Sequence, residues 1–401
     1  METKSPVGHN QLAAVRDVRE WRRYLHSIPG LAFDVGEAAA FVADKLRSFG
    51  CDTVEGGVGR SGVVATIRGK GEQGHPVIGL RADMDGLPIH EQTGADYASK
   101  YPGHMHACGH DGHTAMLLGA ARHLAANRDF NGIVVLIFQP AEEDGGGAQA
   151  MIDDGLIERY KIERIYGMHN MPELPVGEFA IRSGVVMAAV SDFTITVRGR
   201  GGHAARPHKA VDPLVAAATL LLNLQSIVSR NIDPLDEVVV SVTTIHGGST
   251  YNVIPEDVIL TGTCRTLRSG LDDIVRDRIL NICRGTGIAT SSDISLEYRN
   301  TCIPTFNHPE DTDISVRAAR RVSYSGHVNQ DIDPKMGAED FAYMLNVIPG
   351  SYIFLGNGDS YPLHHPRYDF NDEALPCGIN YWINLVHEVA GSHQGASPAR
   401  S

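Results

Sequence analysis

The chain has 401 residues, of which 42% are hydrophobic and 6% aromatic, so its length predicts two domains with ordinary α/β cores. Its 35 basic and 48 acidic residues give a net charge of -13, and no Lys/Arg cluster could track a phosphate backbone, which argues against nucleic acid as a partner. Six scattered cysteines without a Cys-x-x-Cys pair argue against a disulfide framework and a structural zinc knuckle.

The first ten residues are polar and lack the apolar run of a signal peptide. No apolar stretch reaches the ~20 residues that span a bilayer. We therefore expect a protein of the reducing cytoplasm without a membrane partner.

The first part of the chain alternates between helical and extended patterns. Apolar residues at helical spacing predict helices over 11–27, 36–48 and 111–126. Short apolar, β-rich runs predict four strands, at Val63–Arg68, Val77–Arg81, Ile133–Phe138 and Ile162–Gly167. This alternation predicts an α/β fold with a largely parallel sheet.

Polar side chains follow three of these predicted strands. Asp83 and Asp85 follow one strand, Glu142 and Glu143 follow another, and His169 follows a third. In open α/β sheets, ligands bind outside the carboxyl ends of the strands. We therefore expect these groups to converge on one crevice.

From about residue 187 the pattern changes to β-α-β-β-α-β, the ferredoxin-like order. The predicted elements are the strand Ser191–Arg198, the helix Pro213–Ser229, the strands Glu237–His246 and Asp257–Thr266, the helix Leu271–Arg284 and the strand Ile294–Arg299. The α/β pattern then resumes with a helix over 310–326, a strand at Tyr352–Leu355 and a helix over 374–390. This predicts a discontinuous catalytic domain, 1–186 plus 300–401, with a smaller domain inserted at 187–299.

The richest motif is Met105–His113, which places Cys108 and His110 beside glycines before a helix. Further donors stand at Glu142, Glu143 and His169, and in the segment Leu363–Pro366. Thiolate, imidazole and carboxylate ligands with a spare carboxylate suffice for one or two divalent metals and a general base. The sequence therefore predicts a metal-dependent hydrolase.

Each donor has a simpler interpretation. Cys108 could be only a small buried hydrophobe, and Glu142–Asp144 could be a solvated acidic turn. His104, His106 and His113 fit packing or supporting roles, because one metal pair cannot use them all. Asp111 could bridge metals or cap the helix that follows, and Asp85 could orient a ligand or Glu142.

Eight segments in order over almost the whole chain resemble the aminoacylase, hippurate hydrolase and auxin-conjugate amidohydrolase group of the co-catalytic zinc or manganese exopeptidases. They are Arg81–Ile89, Met105–Thr114, Gln139–Glu143, Gly167–Asn170, Gly201–His208, Asn252–Pro255, Gly337–Phe341 and Leu363–Pro366.

The resemblance implies a zinc-exopeptidase-type catalytic domain with two divalent ions per subunit, zinc or manganese, with cobalt or nickel as further options. It implies Glu142 as general base, and the implied metal ligands are Cys108, His110, Glu143, His169 and His364. The wider superfamily has His-x-Asp where this chain has Asp83-Met-Asp85, so one histidine ligand of that superfamily is missing here. The resemblance implies that Cys108 replaces it as a metal ligand. The group usually has His-Ser-Pro where this chain has His364-His365-Pro366, so by register His364 is the ligand, although His365 could compete for that role.

The resemblance also makes the inserted domain a lid and dimerisation domain. In it, His203 corresponds to a histidine that reaches the partner's site and stabilises the oxyanion; the alternative is a histidine that only satisfies a turn. Asn252 and Arg265 correspond to a pair that holds the substrate carboxylate, although Arg265 could equally be a solvated surface group.

We expect a homodimeric, possibly higher-order metallo-amidohydrolase that cleaves small N-acyl amino acids into a carboxylic acid and a free amino acid. A dipeptidase or carboxypeptidase with the same dinuclear site is one alternative. A non-catalytic metal-dependent binding protein is another, which the retained Glu142 disfavours because a binder does not use a spare base.

Overall fold

The computed structural model describes residues 9–71 and 75–392, so most of the polar N-terminal segment discussed above lies outside them. Helices are α1 His9–His26, α2 Gly36–Phe49, α3 His110–Ala126, α4 Gly147–Asp153, α5 Leu156–Tyr160, α6 Pro213–Leu224, α7 Ser226–Asn231, α8 Leu271–Thr290, α9 Pro309–Arg320, α10 Ala342–Val347 and α11 Leu375–Ser392. Strands are β1 Thr53–Val58, β2 Gly62–Arg68, β3 Val77–Asp83, β4 Ile133–Gln139, β5 Arg164–Pro172, β6 Phe179–Ala180, β7 Gly184–Met187, β8 Ala189–Arg198, β9 Gly202–His203, β10 Val238–His246, β11 Val253–Ile254, β12 Asp257–Thr266, β13 Asp293–Cys302, β14 Thr305–Asn307, β15 Val328–Asn329 and β16 Gly350–Gly358.

The contacts divide the described chain into two compact units. One contains the residues up to Val186, then 306–333 and those from Glu339 onward. The other contains 187–305 and 334–338.

The first unit is built on an eight-stranded sheet in the order β1-β2-β4-β3-β5-β16-β6-β15. Its centre, β4-β3-β5-β16, is parallel, as the alternating pattern predicts, whereas β1, β2 and β4 pair antiparallel. Helices α1, α2 and α11 pack against the buried helix α3. Strand β1 was not predicted, because its exposed, glycine-containing sequence lacks an apolar run.

Three central strands extend further than their apolar runs. Strand β3 ends at Asp83 rather than Arg81, β4 at Gln139 rather than Phe138, and β5 at Pro172 rather than Gly167. The added residues include buried polar groups, so hydrophobicity does not mark the true strand ends. His169 therefore lies within β5 and not after it.

In the second unit, an antiparallel sheet runs in the order β10-β12-β8-β13, with α6 and α8 packed against it. This is the ferredoxin-like arrangement of a β-α-β-β-α-β chain. The helix predicted over 213–229 is two helices, α6 and α7, that meet at Gln225, and β13 continues to Cys302. Across residues 9–71 and 75–392, no helix combines the length and apolar character needed to cross a membrane.

Candidate metal centre

The candidate centre lies at one edge of the large sheet, where neighbouring strands deliver polar groups. Asp83 is the last residue of β3, and Glu142 and Glu143 occupy the turn after β4. His169 comes from β5, which lies on the other side of β3. Because β4, β3 and β5 are parallel neighbours, these groups reach the same edge, as the sequence predicts.

Cys108 and His110 come from the loop that begins helix α3. Gly109 between them has a φ of 90°, and a Cβ there would lie 2.1 Å from the Asn170 Oδ1 atom, so glycine is required. This turn directs both neighbours inward: the Cys108 Sγ atom lies 3.3 Å from His169 Nε2. The Nδ1–H group of His169 donates to the Asn170 carbonyl over 2.6 Å, which leaves Nε2 as the lone-pair donor to a metal.

His110 is fully buried among carboxylates, yet neither of its ring nitrogens has a hydrogen-bond partner. Its Nδ1 atom lies 3.5 Å from Asp85, and its Nε2 atom lies 3.8 Å from Asp83, 3.9 Å from Glu142 and 3.8 Å from Glu143. Glu143 Oε1 is likewise buried without a partner. Buried polar atoms normally have hydrogen-bond partners. The unpaired nitrogen and oxygen atoms of His110 and Glu143 face one another, and a bound cation would give them a partner.

The turn that carries Glu142 and Glu143 is held at its centre by Asp85. The two oxygens of the Asp85 carboxylate accept the backbone N–H groups of Glu142 and Glu143, each over 3.1 Å. Asp85 therefore orients the turn through its backbone, a supporting position of the kind the sequence suggests.

The structure separates the two C-terminal histidines. His364 Nε2 lies 3.5 Å from Glu143 Oε2, and its backbone has a φ of 65°. His365 instead stacks on Tyr361, with ring centroids 4.5 Å apart, and its Nδ1 accepts the backbone N–H of Arg367. Only His364 belongs to a cluster of potential ligands.

In the part of the chain that the structure describes, there are five groups of three side chains whose potential ligand atoms lie within 4.8 Å of one another inside each group. Two contain Cys108, one with His110 and His169 and the other with Glu143 and His364. Two more contain His110 without Cys108, one with Glu142 and Glu143 and the other with Asp83 and His113. The last is Glu142, Glu339 and Asp340. That last group already holds a cation, because Arg81 Nη2 lies 2.8 Å from Glu339 and 3.2 Å from Asp340. The remaining four surround the residues proposed to bind metal.

The electrostatics also fit a divalent cation. Burial and the carboxylates of Glu143 and Glu142 raise the pKa of the Cys108 thiol well above its usual range. Burial raises the pKa of Glu143 to about 7, and burial with Glu339 raises the pKa of Glu142 well above its usual range. A divalent cation stabilises a thiolate and carboxylates together, so this donor set suits one.

Two buried side chains support these residues: the sequence suggests a packing or supporting role for His113, whereas the role of Arg81 was not predicted. His113 binds Asp83 through Nδ1 over 2.6 Å and Asn170 through Nε2 over 2.7 Å. Arg81, fully buried in β3, donates to Asp83 over 2.7 Å. The available signal was an arginine directly after the apolar run of a central strand, which indicates a buried ion pair.

Asp111 neither bridges the candidate ligands nor caps α3. Its Oδ2 atom bonds to His26 Nδ1 over 2.8 Å and lies 3.5 Å from Arg22 Nη1. The N-cap residue of α3 is Gly109, so no side chain caps the start of this helix. His106 is buried nearby with no hydrogen-bond partner on either nitrogen, and His104 bonds to the Pro29 carbonyl.

His203 and Asn252 are neighbours in the second unit. His203 lies on β9 opposite Val253 of β11, and the Ala204 N–H donates to the Asn252 carbonyl. The Ala205 N–H donates to His203 Nδ1 over 3.1 Å, so the exposed ring carries its proton on Nε2 when neutral.

Arg265 does not join them. It pairs with Val190 near the start of β8, whereas His203 follows Arg198 at the other end of that strand. Eight residues of strand at about 3.4 Å each place these two ends roughly 27 Å apart.

Comparisons with known proteins show which proteins this chain is similar to. A sequence model of peptidase family M20/M25/M40 matches residues 79–388. Hippurate hydrolase of Campylobacter jejuni is 40% identical over 367 residues, 91% of this chain and 94% of that protein. N-acetyl-L-cysteine deacetylase of Bacillus subtilis is 41% identical over 357 residues, 88% of this chain and 83% of that protein. The crystal structure of the Bacillus subtilis YxeP protein, described as a dinuclear metal-binding peptidase, has a TM-score of 0.82 and 32% identity, and covers 95% of this chain and 99% of that one.

Proposed function

The chain belongs to peptidase family M20/M25/M40, and from that membership we propose that it hydrolyses the amide bond of N-acyl amino acids. The products are a carboxylic acid and a free amino acid. Its relatives named hippurate hydrolase and N-acetyl-L-cysteine deacetylase support an acyl group on an amino acid as the substrate class.

The observation that carries this proposal is the pair of adjacent carboxylates in the turn after β4. Glu143 lies between His110 and His364, at 3.8 and 3.5 Å, and shares a potential ligand cluster with Cys108. Glu142 lies 3.9 Å from the same His110 Nε2 atom, but it shares no potential ligand cluster with Cys108 or His364. One carboxylate is thus available as a ligand while its neighbour is available as a base.

The proposed ligands of two divalent ions are Cys108, His110, Glu143, His169 and His364. When bound, such ions lower the pKa of water from ~15.7 to near ~7 and polarise a carbonyl. The thiolate favours zinc, while the mixed imidazole and carboxylate donors also accept manganese, cobalt or nickel.

Glu142 acts as the general acid and base of the proposed reaction. Its carboxylate accepts a proton from the water that attacks the amide carbon, and it then protonates the departing amine nitrogen. Asp85 keeps this carboxylate in place by fixing the backbone of the turn.

Beyond the metals, the proposed site uses residues of the second units of two copies of the chain. His203 of one copy offers an Nε2–H donor to the developing oxyanion, and Asn252 beside it and Arg265 of the other copy bind the substrate carboxylate. Because His203 and Arg265 lie at opposite ends of β8, one substrate can use both only if they come from two copies of the chain.

The partner surface that we propose is the edge strand β10 with helix α6. Val215 and Leu222 of α6 are 60% and 70% exposed, and Val239 and Ile245 of β10 are also exposed. An edge strand beside exposed apolar side chains is typical of a surface that pairs with another chain.

The test is a panel of N-acetyl and N-benzoyl amino acids and dipeptides, assayed with zinc, manganese, cobalt or nickel for released amino acid. Hydrolysis of the N-acyl substrates that a chelator abolishes and a divalent ion restores is the expected result. Faster cleavage of dipeptides would identify a dipeptidase, and metal-dependent binding without turnover would identify a binding protein.

A further inference from the structure

The turn that carries Glu142 and Glu143 is strained. Ala141, just before Glu142, has a φ of 52°, a left-handed conformation that costs a non-glycine residue about 1 kcal/mol. Such a conformation persists only where the surroundings hold it firmly. Asp85 holds the centre of the turn, the Ala141 N–H donates to the Ala32 carbonyl, and further side-chain contacts hold the two ends.

A single carboxylate, that of Asp340, anchors both ends. Its Oδ1 atom accepts a hydrogen bond from Gln139 Nε2 over 2.7 Å, at the last residue of β4. Its Oδ2 atom accepts the backbone N–H of Ala148 over 2.9 Å, in the first turn of α4. Asp340, Gln139 and Ala148 are all buried, so these bonds are shielded from water.

Arg81 sets the direction of this clamp. Its Nε–H group donates to Gln139 Oε1 over 2.8 Å, which turns the amide so that Nε2 faces Asp340. Its Nη2 atom lies 3.2 Å from Asp340 Oδ1 and balances the buried negative charge. The clamp therefore connects strands β3 and β4 to a segment about 190 residues further along the chain.

We propose that Asp340 is a positioning residue for hydrolysis: it clamps Gln139 and Ala148 so that the strained turn presents Glu142 to the attacking water. The inference rests on the proposed function of Glu142. Reaction geometry is demanding, and a displacement of about 1 Å can cost ~10²-fold in rate.

The test replaces Asp340 with Asn, which cannot accept hydrogen bonds through both ends of its side chain. The matched control is Asp311→Asn, because Asp311 is an equally buried carboxylate bonded to Arg164 and Tyr166, away from the turn. Both variants are compared at saturating zinc for kcat, KM, free energy of unfolding, and amide hydrogen exchange in 139–148.

We expect Asp340→Asn to lower kcat by ~10²-fold with little change in KM and to speed exchange in the turn, since the turn loses its clamp while the substrate contacts remain. Asp311→Asn should keep both properties even if it unfolds more easily. Unchanged kcat and unchanged hydrogen exchange in Asp340→Asn would overturn the proposal. It would also be overturned if both variants lost kcat in proportion to their loss of unfolding free energy.

If Asp340→Asn does not fold, Gln139→Met provides the second test, because it removes one end of the clamp and leaves the Asp340–Arg81 pair. The same fall in kcat and faster exchange in the turn would support the clamp, and wild-type values of both would refute it. Should the wild-type chain not hydrolyse N-acyl amino acids at all, the proposed function fails, while exchange in the turn still tests the clamp.

Discussion

The Sγ atom of Cys108 lies 3.3 Å from Nε2 of His169, although the two residues stand 61 positions apart. A thiol buried beside an imidazole lone pair and two carboxylates is poorly placed to ionise by itself, and a divalent cation at this point would stabilise its thiolate.

We therefore predict that Cys108→Ser weakens metal binding by more than ~10-fold, because even residues that only support ligands cost that much when removed. Competition with a chromophoric chelator measures this affinity. Cys377→Ser is the control, since Cys377 is also buried and bonds only weakly to the Val322 carbonyl. Unchanged affinity in Cys108→Ser would remove the thiolate from the ligand set.

The two glutamates of the turn should separate into two kinds of variant. Glu142→Gln should retain its metals and lose turnover by ~10²- to 10⁴-fold, the usual contribution of a general base. Glu143→Gln should lose metal as well, because its carboxylate lies between His110 and His364. Metal analysis together with steady-state kinetics distinguishes the two variants. If Glu142→Gln lost its metal and Glu143→Gln kept it, Glu142 would be the metal ligand and Glu143 the general base.

His203 tests the proposed dimer. Removing an oxyanion donor typically costs ~3 kcal/mol, so His203→Ala should be nearly inactive by itself, as should Glu142→Gln. Mixed in equal amounts and allowed to exchange subunits, the two variants should recover about a quarter of wild-type activity. About half of the dimers are then mixed, and each mixed dimer has one intact site out of two. Exchange proven by mass spectrometry without any recovery of activity would place His203 in its own subunit or outside the reaction.

His26 should make stability depend on pH. Burial of the His26 ring lowers its pKa, and so does the positive charge of Arg22. The carboxylates of Asp111 and Glu91 have the larger effect and raise the pKa to about 9. The folded pKa exceeds the unfolded value of 6.5, so the stabilisation is complete below pH 6.5 and is lost as pH rises through 9. It amounts to on the order of 3 kcal/mol.

Urea unfolding of wild type and His26→Gln at pH 6, 7.5 and 9.5 checks this prediction. The difference in unfolding free energy should be largest at pH 6 and smallest at pH 9.5. His246→Gln, at an exposed position in the second unit, controls for the loss of a histidine. If the loss of unfolding free energy in His26→Gln instead grew as the pH rises, the charged His26–Asp111 pair would not be the source of the stabilisation.

The order of the long strands and helices was predictable, except for β1, because most of them bury an apolar face. The same reasoning placed Asp83, Glu142 and His169 together, since parallel neighbouring strands share an edge. It could not find the clamp: Asp340 contacts Gln139 and Ala148 across almost half of the chain, and no local period reports such a distance. The fate of Asp111 was hidden for the same reason, because its partner His26 lies on α1.

The position of His364 in the chain has a consequence for biosynthesis. Cys108, His110, Glu143 and His169 are all translated before the second unit begins, whereas His364 follows after that unit is complete. A nascent chain on the ribosome therefore carries most of the proposed ligands while the last is still missing. We expect the centre to close only after the second unit has been translated, so that a chain truncated before His364 keeps a thiol and imidazoles within an incomplete centre.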